Sequence, residues 1–283
     1  MHKKGHSALL AGKWIMVVFF PAFFFIPQKS FPGANYPFGS RAAAMGNAAV
    51  TTSDLWSVHH NQAGLASLSA IQAGFHYENK FLVPDLGLQA LALAVPASPG
   101  TLGLSYTRFG ISRYYESKLG LAFGRMFGEK ISAGIGINYL YTYIADDYGD
   151  SGSLSVEGGF ITQPFDGVFV AAHIYNPTRM KNVVHYGVPF PSIMRMGIAA
   201  FAGDRILAAA EAMKESGRKT VFRAGLEMGF QGPFYLRAGV ASGPVQTSFG
   251  LGYIYGKLLA DLAFTNHQQL GYSPHISISY ILR

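Results

Sequence analysis

The strongest constraint on the fold is a two-residue alternation that repeats from about Ser69 to the end of the chain. Between positions 131 and 143 the odd residues are isoleucine, alanine and tyrosine, and the even residues are mostly glycine, serine, asparagine and threonine. The same alternation recurs at 102–107, 222–230, 248–253 and 276–282. A period of two is typical of β-strands, whose successive side chains point to opposite faces. The sequence therefore predicts an all-β protein.

The composition of the face with small residues distinguishes between two all-β architectures, a soluble sandwich and a membrane barrel. A soluble β-sandwich alternates as well, but the outward face of its strands must carry enough polar groups to face water. Only 13% of the residues are charged and 34 are glycines, whereas globular proteins carry about 25% charged residues. Apolar and small side chains alternate in this way in the strands of membrane barrels. We therefore predict a transmembrane antiparallel β-barrel.

Counting the alternating segments predicts fourteen strands, and single-chain bacterial barrels have an even number. The predicted strands are 69–79, 86–97, 100–109, 113–126, 129–143, 152–163, 166–176, 193–202, 204–214, 219–230, 233–242, 246–256, 257–265 and 274–283. Short turns at 98–99, 127–128, 203 and 231–232 alternate with longer connections at 144–151, 176–191 and 266–273. This asymmetry is typical of short periplasmic turns and long outer loops.

Residues 1–34 resemble an export signal. A lysine-bearing start precedes the apolar run Ile15–Ile26, which is too short to span a bilayer and is followed by small residues. A retained anchor is the alternative. Removal of this segment takes away four lysines and no acid, so the net charge falls from +7 to +3. The remaining chain has no basic run that would predict a nucleic-acid partner, and the absence of cysteine excludes disulfides and cysteine-ligated metals.

Residues 35–68, here called the N-terminal segment, match neither a strand nor a signal. They are rich in small residues, with one short helix predicted at Arg41–Met45 and another near Leu55–His59, capped by Ser53 or Asp54. Eight-stranded barrels fill their interior with side chains and barrels of sixteen strands leave a channel, so fourteen strands leave room for a plug. We predict that this segment lies in the lumen, where inward glycines allow close packing, and that residues 69–283 form the barrel.

Some charged residues fall on the same alternating positions of a strand as the small residues that face inward, a placement called inward parity here. They are therefore predicted to lie in the lumen: Glu157, Arg195, Arg205, Glu211, Arg223, Glu227, Arg237 and Asp261. If Phe230 opposes Phe234 across a short turn, Glu227 faces Arg237, an arrangement worth roughly 0.2–1 kcal/mol. We interpret these charges as groups that neutralise one another and hold the plug. A substrate path is the other interpretation.

The opening of the N-terminal segment carries a family resemblance. Its motif comprises Gly39, Arg41, Met45, Gly46, Asn47, Asp54, Trp56, Asn61 and Gly64. This pattern resembles the start of PorV/PorQ proteins, with Gln62 where that family usually has proline. The resemblance implies a FadL-like outer-membrane barrel of fourteen strands with an N-terminal hatch.

Candidates for catalysis are sparse. His173 has inward parity in a strand, His275 lies near Ser277, and the adjacent His59 and His60 diverge without a nearby third ligand. A nucleophile, a base and an orienting group are needed together. We therefore predict no catalytic residue, no metal and no cofactor.

Two functions follow from the resemblance, with a barrel-embedded lipid hydrolase as a minor third. The first is a component of protein secretion or surface assembly of the type IX kind. A protein partner would dock on loop residues 176–191, with Arg179, Lys181, Val183, Val184, Tyr186 and Phe190. The alternative is a FadL-like conduit for hydrophobic small molecules. Either function places the chain in the outer membrane, in contact with lipid.

Overall fold

A computed structural model describes residues 35–145, 149–178 and 191–282. Fourteen antiparallel strands form a closed barrel, in which each strand pairs with its neighbours along the chain and the first strand pairs with the last. The strands are β1 Gln72–Asn79, β2 Gly87–Ala97, β3 Gly100–Gly110, β4 Tyr114–Phe127, β5 Ile131–Ile144, β6 Gly149–Phe165, β7 Val168–Tyr175, β8 Ile193–Ala202, β9 Ile206–Glu215, β10 Val221–Gly229, β11 Phe234–Ser242, β12 Val245–Tyr255, β13 Leu258–His267 and β14 Gly271–Ile281. The prediction of a closed fourteen-stranded all-β barrel is confirmed.

The alternation in the sequence becomes the two faces of the barrel wall. Large apolar side chains point outward, as in Ile135, which is 67% exposed, and Phe222, which is 62% exposed. The alternate residues point inward and are mostly small or polar, such as Ser105 and Ser155, both nearly inaccessible. Closure of the sheet leaves no strand edge, so each backbone ladder finds a partner on both sides.

The helices are short and lie outside the strands. Helix α1 spans Ser40–Ala44 and helix α2 spans Ser57–His60, while short 3₁₀ helices occupy Gln62–Ser67, Lys80–Leu82 and Pro84–Leu86. In the part of the chain that the structure describes, no helix is long and apolar enough to cross a membrane.

Two connections are shorter than predicted. Strand β6 begins at Gly149 because Tyr143 still pairs with Asp150, and Gly149 has a φ of +73° that permits a tight turn. Strand β14 begins at Gly271 and contains Pro274, which pairs only with β13, since β1 ends its pairing at His275. The proline therefore needs no N–H on its other side.

Several predictions lie outside the described residues. The signal sequence at 1–34 is one of them. The proposed docking residues Arg179, Lys181, Val183, Val184, Tyr186 and Phe190 are the others.

Candidate functional site in the barrel lumen

The N-terminal segment packs on the inner face of the wall. Helix α1 contacts strands β11–β14, and the 3₁₀ helix Gln62–Ser67 contacts β3–β6. The backbone N–H of Ser40 donates to Ser277 Oγ at 2.7 Å, and that of Gly46 donates to Ser248 Oγ at 3.0 Å. Inward serines of β14 and β12 therefore satisfy the amides around α1, which is too short to satisfy its own.

Inward glycines bring two backbones together. A Cβ added at Gly239 would overlap the backbone nitrogen of Gly46, and one added at Gly134 would overlap the backbone of Gln62. The N-terminal segment therefore lies directly against the wall at these points, and any larger residue would push it away.

The first group of charges joins the N-terminal segment to β10, β11 and β13. Arg41 donates from Nε and Nη2 to the two carboxylate oxygens of Glu227, both at 2.8 Å, and from Nη1 to Asp54 at 3.2 Å. Arg237 donates to Glu227 at 2.5 Å and to Asp261 at 2.6 Å. Glu227 and Arg237 lie directly opposite in the ladder, the register that the hairpin turn predicts. Two cations and three carboxylates thus share one chain of ion pairs.

The second group of charges centres on Glu211 of β9. Its Oε2 accepts hydrogen bonds from the backbone N–H groups of Ala49 and Val50 at 3.0 and 2.9 Å. Its Oε1 lies 2.9 Å from Arg223 Nη1 and 3.8 Å from Arg195 Nε. Two arginines of the wall therefore balance a carboxylate that binds the backbone of the N-terminal segment.

The third group of charges lies under β4–β7. Glu157 accepts from Asn138 at 2.9 Å, and its other oxygen is 3.3 Å from His173 Nε2. Lys118 is almost fully buried and donates to His59 Nδ1 at 2.9 Å. Burial, with the neighbouring Lys118 charge, lowers the pKa of His59 well below its usual value, so His59 accepts this hydrogen bond as a neutral ring.

The side of the lumen under β2 is apolar. Four inward residues of β2 form a continuous apolar row on the wall, namely Leu88, Ala90, Ala92 and Ala94. Phe38 and Trp56 pack against this row in an edge-to-face pair with ring centroids 5.7 Å apart. Tyr36 and Phe109 form a second aromatic pair beside them at 4.6 Å. The lumen thus has an apolar side along β2, flanked by polar side chains of β1, β3 and β4, and a charged side along β9–β13.

The motif residues shape the N-terminal segment itself. Gly39 (φ +99°), Gly46 (φ +65°) and Asn47 (φ +60°) adopt the left-handed backbone that turns the chain around α1. Asp54 accepts from the backbone N–H of Trp56 at 2.9 Å ahead of α2. The others are buried contacts, with Met45 against the wall glycine Gly225, Asn61 bonded to Val50 O, and Gly64 against Thr52 O.

One predicted lumen charge is wrong. Arg205 is exposed and lies in the turn before β9, which begins at Ile206. Its parity matches the inward residues of β9, but side-chain alternation does not extend through a turn. The sequence reasoning also missed Lys118, Glu78 and Glu116, which are buried in inward positions of β4 and β1. Parity along those strands was the signal that could have identified them.

The catalytic candidates are all buried. Ser277 Oγ donates to Ser40 Oγ at 2.9 Å and lies 2.9 Å from His76 Nδ1, so the N-terminal segment covers this hydroxyl. His275 lies beside Thr265 at 3.1 Å. His60 Nε2 donates to the Phe38 carbonyl at 2.7 Å. These groups act as packing and hydrogen-bonding partners in the lumen.

Two grooves lie on the outward face of the wall. One of about 790 Å³ runs over β8–β12, past Ile198 and Phe222. The other, of about 590 Å³, runs over β3–β6, past Ile135 and Val156. Their linings are mainly apolar and include outward side chains of each strand that they cross.

The fold is thus that of a closed fourteen-stranded barrel with a polypeptide segment packed against its inner wall. The Ralstonia pickettii toluene transporter TbuX has a similar structure, with a TM-score of 0.70, 12% identity and coverage of 87% of this chain and 98% of that one. The P. putida toluene transporter TodX matches at a TM-score of 0.63, with 10% identity and coverage of 87% and 98%. The CymD monoaromatic hydrocarbon channel matches at 0.61, with 14% identity and coverage of 86% and 96%.

No protein-family model matches the sequence, and a search of curated proteins found no match. The structural similarities correct one expectation. The predicted role in type IX-like secretion is wrong, because the similar structures are those of hydrocarbon transporters and channels. The motif that suggested that role is explained by the turns and contacts of the N-terminal segment. The specific resemblance to PorV/PorQ proteins stays a sequence prediction.

Proposed function

We propose that this protein is an outer-membrane conduit for hydrophobic small molecules, gated by the N-terminal segment. The observation that carries the proposal is the structural similarity to the toluene transporter TbuX over almost the whole barrel. The outward ring of apolar side chains supports membrane embedding, since a barrel in lipid needs an apolar outer face. Transport, rather than catalysis, is the activity of the similar proteins.

The apolar side of the lumen is the proposed path. The path begins at the outer end of the barrel, where Leu82 and Val83 are exposed in the connection between β1 and β2. Phe109, near the end of the neighbouring strand β3, forms the aromatic pair with Tyr36. The inner face of β2 then offers an apolar surface. A hydrophobic molecule that moves along this surface keeps apolar contacts throughout. Phe38 and Trp56 cover this surface, and their displacement opens the path.

The charged side of the lumen holds the gate during this movement. The N-terminal segment is bound there through Arg41 to Glu227 and through the backbone of Ala49 and Val50 to Glu211. Apolar contacts on the opposite side are easily exchanged for contacts with an apolar ligand. The segment therefore opens on the β2 side while its ion pairs persist.

Uptake of radiolabelled toluene by cells with the barrel in their outer membrane tests the proposal. Ala92→Trp fills the path, and Leu91→Trp places the same side chain on the outward face of the same strand, where Leu91 is exposed. We expect Ala92→Trp to reduce uptake at least fivefold and Leu91→Trp to leave it near the wild-type rate. Heat-modifiable gel mobility checks that both variants assemble. Uptake equal to that of barrel-free cells, or equal losses in both variants, contradicts the proposal.

A further inference from the structure

The seam that closes the barrel brings the two ends of the sheet together. Strand β1 pairs with β14, so that Glu78 lies opposite His275 and His76 lies opposite Ser277. His76 and Glu78 share the inward parity of β1, and His275 shares that of β14. Three potential metal ligands therefore meet on the inner face of one strand pair.

The geometry points to a metal site, and we propose that His76, Glu78 and His275 bind one divalent transition-metal ion. One donor atom from each residue lies within 4.8 Å of the others. His275 Nδ1 is 3.9 Å from Glu78 Oε2. The residues His76, Glu78 and His275 are 0%, 5% and 7% exposed, respectively. Burial shields the three side chains from bulk water, which would otherwise compete with them as a ligand of the metal.

Among the residues that the structure describes, two ring nitrogens in this group have no hydrogen-bond partner. They are His76 Nε2 and His275 Nδ1, both buried. Buried polar atoms normally have a hydrogen-bond partner. Two atoms without one in the same cluster therefore indicate a partner that is not a protein group. A metal ion is a partner that satisfies both nitrogens at once.

Neighbouring hydroxyls set the ring tautomers for metal binding. Ser277 Oγ donates its own proton to Ser40 Oγ and lies 2.9 Å from His76 Nδ1, so it accepts from His76 Nδ1–H. His76 Nε2 is then left with a free lone pair. Thr265 Oγ1, at 3.1 Å from His275 Nε2, can accept in the same way and leave Nδ1 free. Metal-ligating histidines commonly have such a second partner.

The donor set selects the class of ion. Two imidazoles and a carboxylate suit Zn²⁺, Co²⁺, Ni²⁺ or Fe²⁺, whereas Ca²⁺ and Mg²⁺ prefer oxygen ligands. Lys80 occupies only Oε1 of Glu78, at 2.9 Å, and leaves the other oxygen to the metal. Tetrahedral bonds of about 2.1 Å place donors roughly 3.4 Å apart, so small side-chain rotations complete the site. The bound ion joins the first strand to the last.

Cobalt is the probe, because Co²⁺ bound in place of zinc gives visible absorption that reports its ligands. Untagged barrel, stripped with a chelator and exchanged into metal-free buffer, is titrated with Co²⁺, and bound metal is counted by elemental analysis. We expect one Co²⁺ per chain and a higher melting temperature with metal. Glu78→Gln, His76→Asn and His275→Asn should each weaken binding at least tenfold. His267→Asn is the control, because His267 lies at the end of β13 and, among the described residues, accepts hydrogen bonds only from the nearby backbone N–H groups of Gln269 and Leu270.

Substoichiometric binding by the wild-type barrel overturns the proposal, as does a control variant that loses as much affinity as the three ligand variants. Glu78→Gln changes no volume and decides the matter if the histidine variants fail to assemble. Assembly is checked by heat-modifiable gel mobility. The result is independent of toluene uptake, so either proposal can fail without the other.

Discussion

Arg41 and Glu227 form a two-point ion pair in which Nε and Nη2 of the guanidinium each lie 2.8 Å from a separate carboxylate oxygen. Bidentate pairs of this kind are the strongest charge-assisted hydrogen bonds in proteins. Arg237 holds Glu227 from the neighbouring strand at 2.5 Å, so the wall fixes the carboxylate before the N-terminal segment binds to it. The pair is therefore a preformed attachment point for that segment.

Replacing Arg41 with alanine should loosen the N-terminal segment without unfolding the barrel. Hydrogen bonds to charged groups contribute about 1.5–3 kcal/mol, and Glu227 keeps Arg237 as a partner. We expect the free energy of local opening of residues 40–60 to fall by about that amount, measured by amide hydrogen exchange. Arg205→Ala removes an exposed arginine and is the control. Unchanged exchange in the Arg41 variant would show that the pair does not hold the segment.

Replacing Gly239 with alanine should displace the N-terminal segment at Gly46, because the added Cβ overlaps its backbone nitrogen. Overpacking of this kind costs typically about 1–3 kcal/mol. Limited proteolysis should then cut within residues 40–50 at least tenfold faster than in the wild type. Gly87→Ala serves as the control, since its nearest neighbour would be Tyr77 at 3.5 Å, an ordinary contact. Equal cleavage rates in both variants would contradict a close contact at Gly239.

Replacing Ile135 with arginine should impair assembly in a bilayer. Ile135 is 67% exposed on the outward face, and an arginine at the bilayer midplane of a barrel costs about 2–4 kcal/mol. Folding into lipid vesicles, followed by denaturant titration, measures the cost, with Ile135→Leu as the control. If both variants fold with the wild-type midpoint, this face does not contact lipid.

The fold could be predicted because strand alternation is a local property. Each barrel strand shows its two faces within ten residues, and pairing of sequential strands fixes the order of the sheet. The register of β10 and β11 also follows from the local turn, which places Glu227 opposite Arg237. Turn lengths were less predictable, since β6 begins at Gly149 and β14 begins at Gly271, both in stretches where the sequence indicated loops.

The site could be predicted only in part, because its contacts join distant segments. Parity identified Glu211 and Glu227 as inward residues but could not say which atoms of the N-terminal segment they bind. The cluster of His76, Glu78 and His275 depends on the closure of β1 onto β14. No local pattern specifies which residues meet across that seam.

Lowering the pH should release the N-terminal segment, and His60 is a main cause. Burial, with the positive charge of Arg195 close by, lowers the pKa of His60 to about 3, against about 6.5 for a free histidine. A released segment exposes His60, which then binds a proton below pH 6.5 that the packed segment excludes. The packed state is therefore fully favoured above pH 6.5 and loses about 2 kcal/mol per such histidine between pH 7 and 5. His59 contributes in the same direction.

Hydrogen exchange of residues 40–60 at pH 7 and 5, corrected for intrinsic rates, measures this dependence. His60→Gln retains a donor for the Phe38 carbonyl but has no titratable group. We expect this variant to lose about half of the pH dependence, because His59 still titrates. If the variant shows the same dependence as the wild-type protein, protonation of His60 does not drive release. The remaining candidates are then the buried carboxylates and the other buried histidines of the lumen, because these are the groups that surround the N-terminal segment on its charged side.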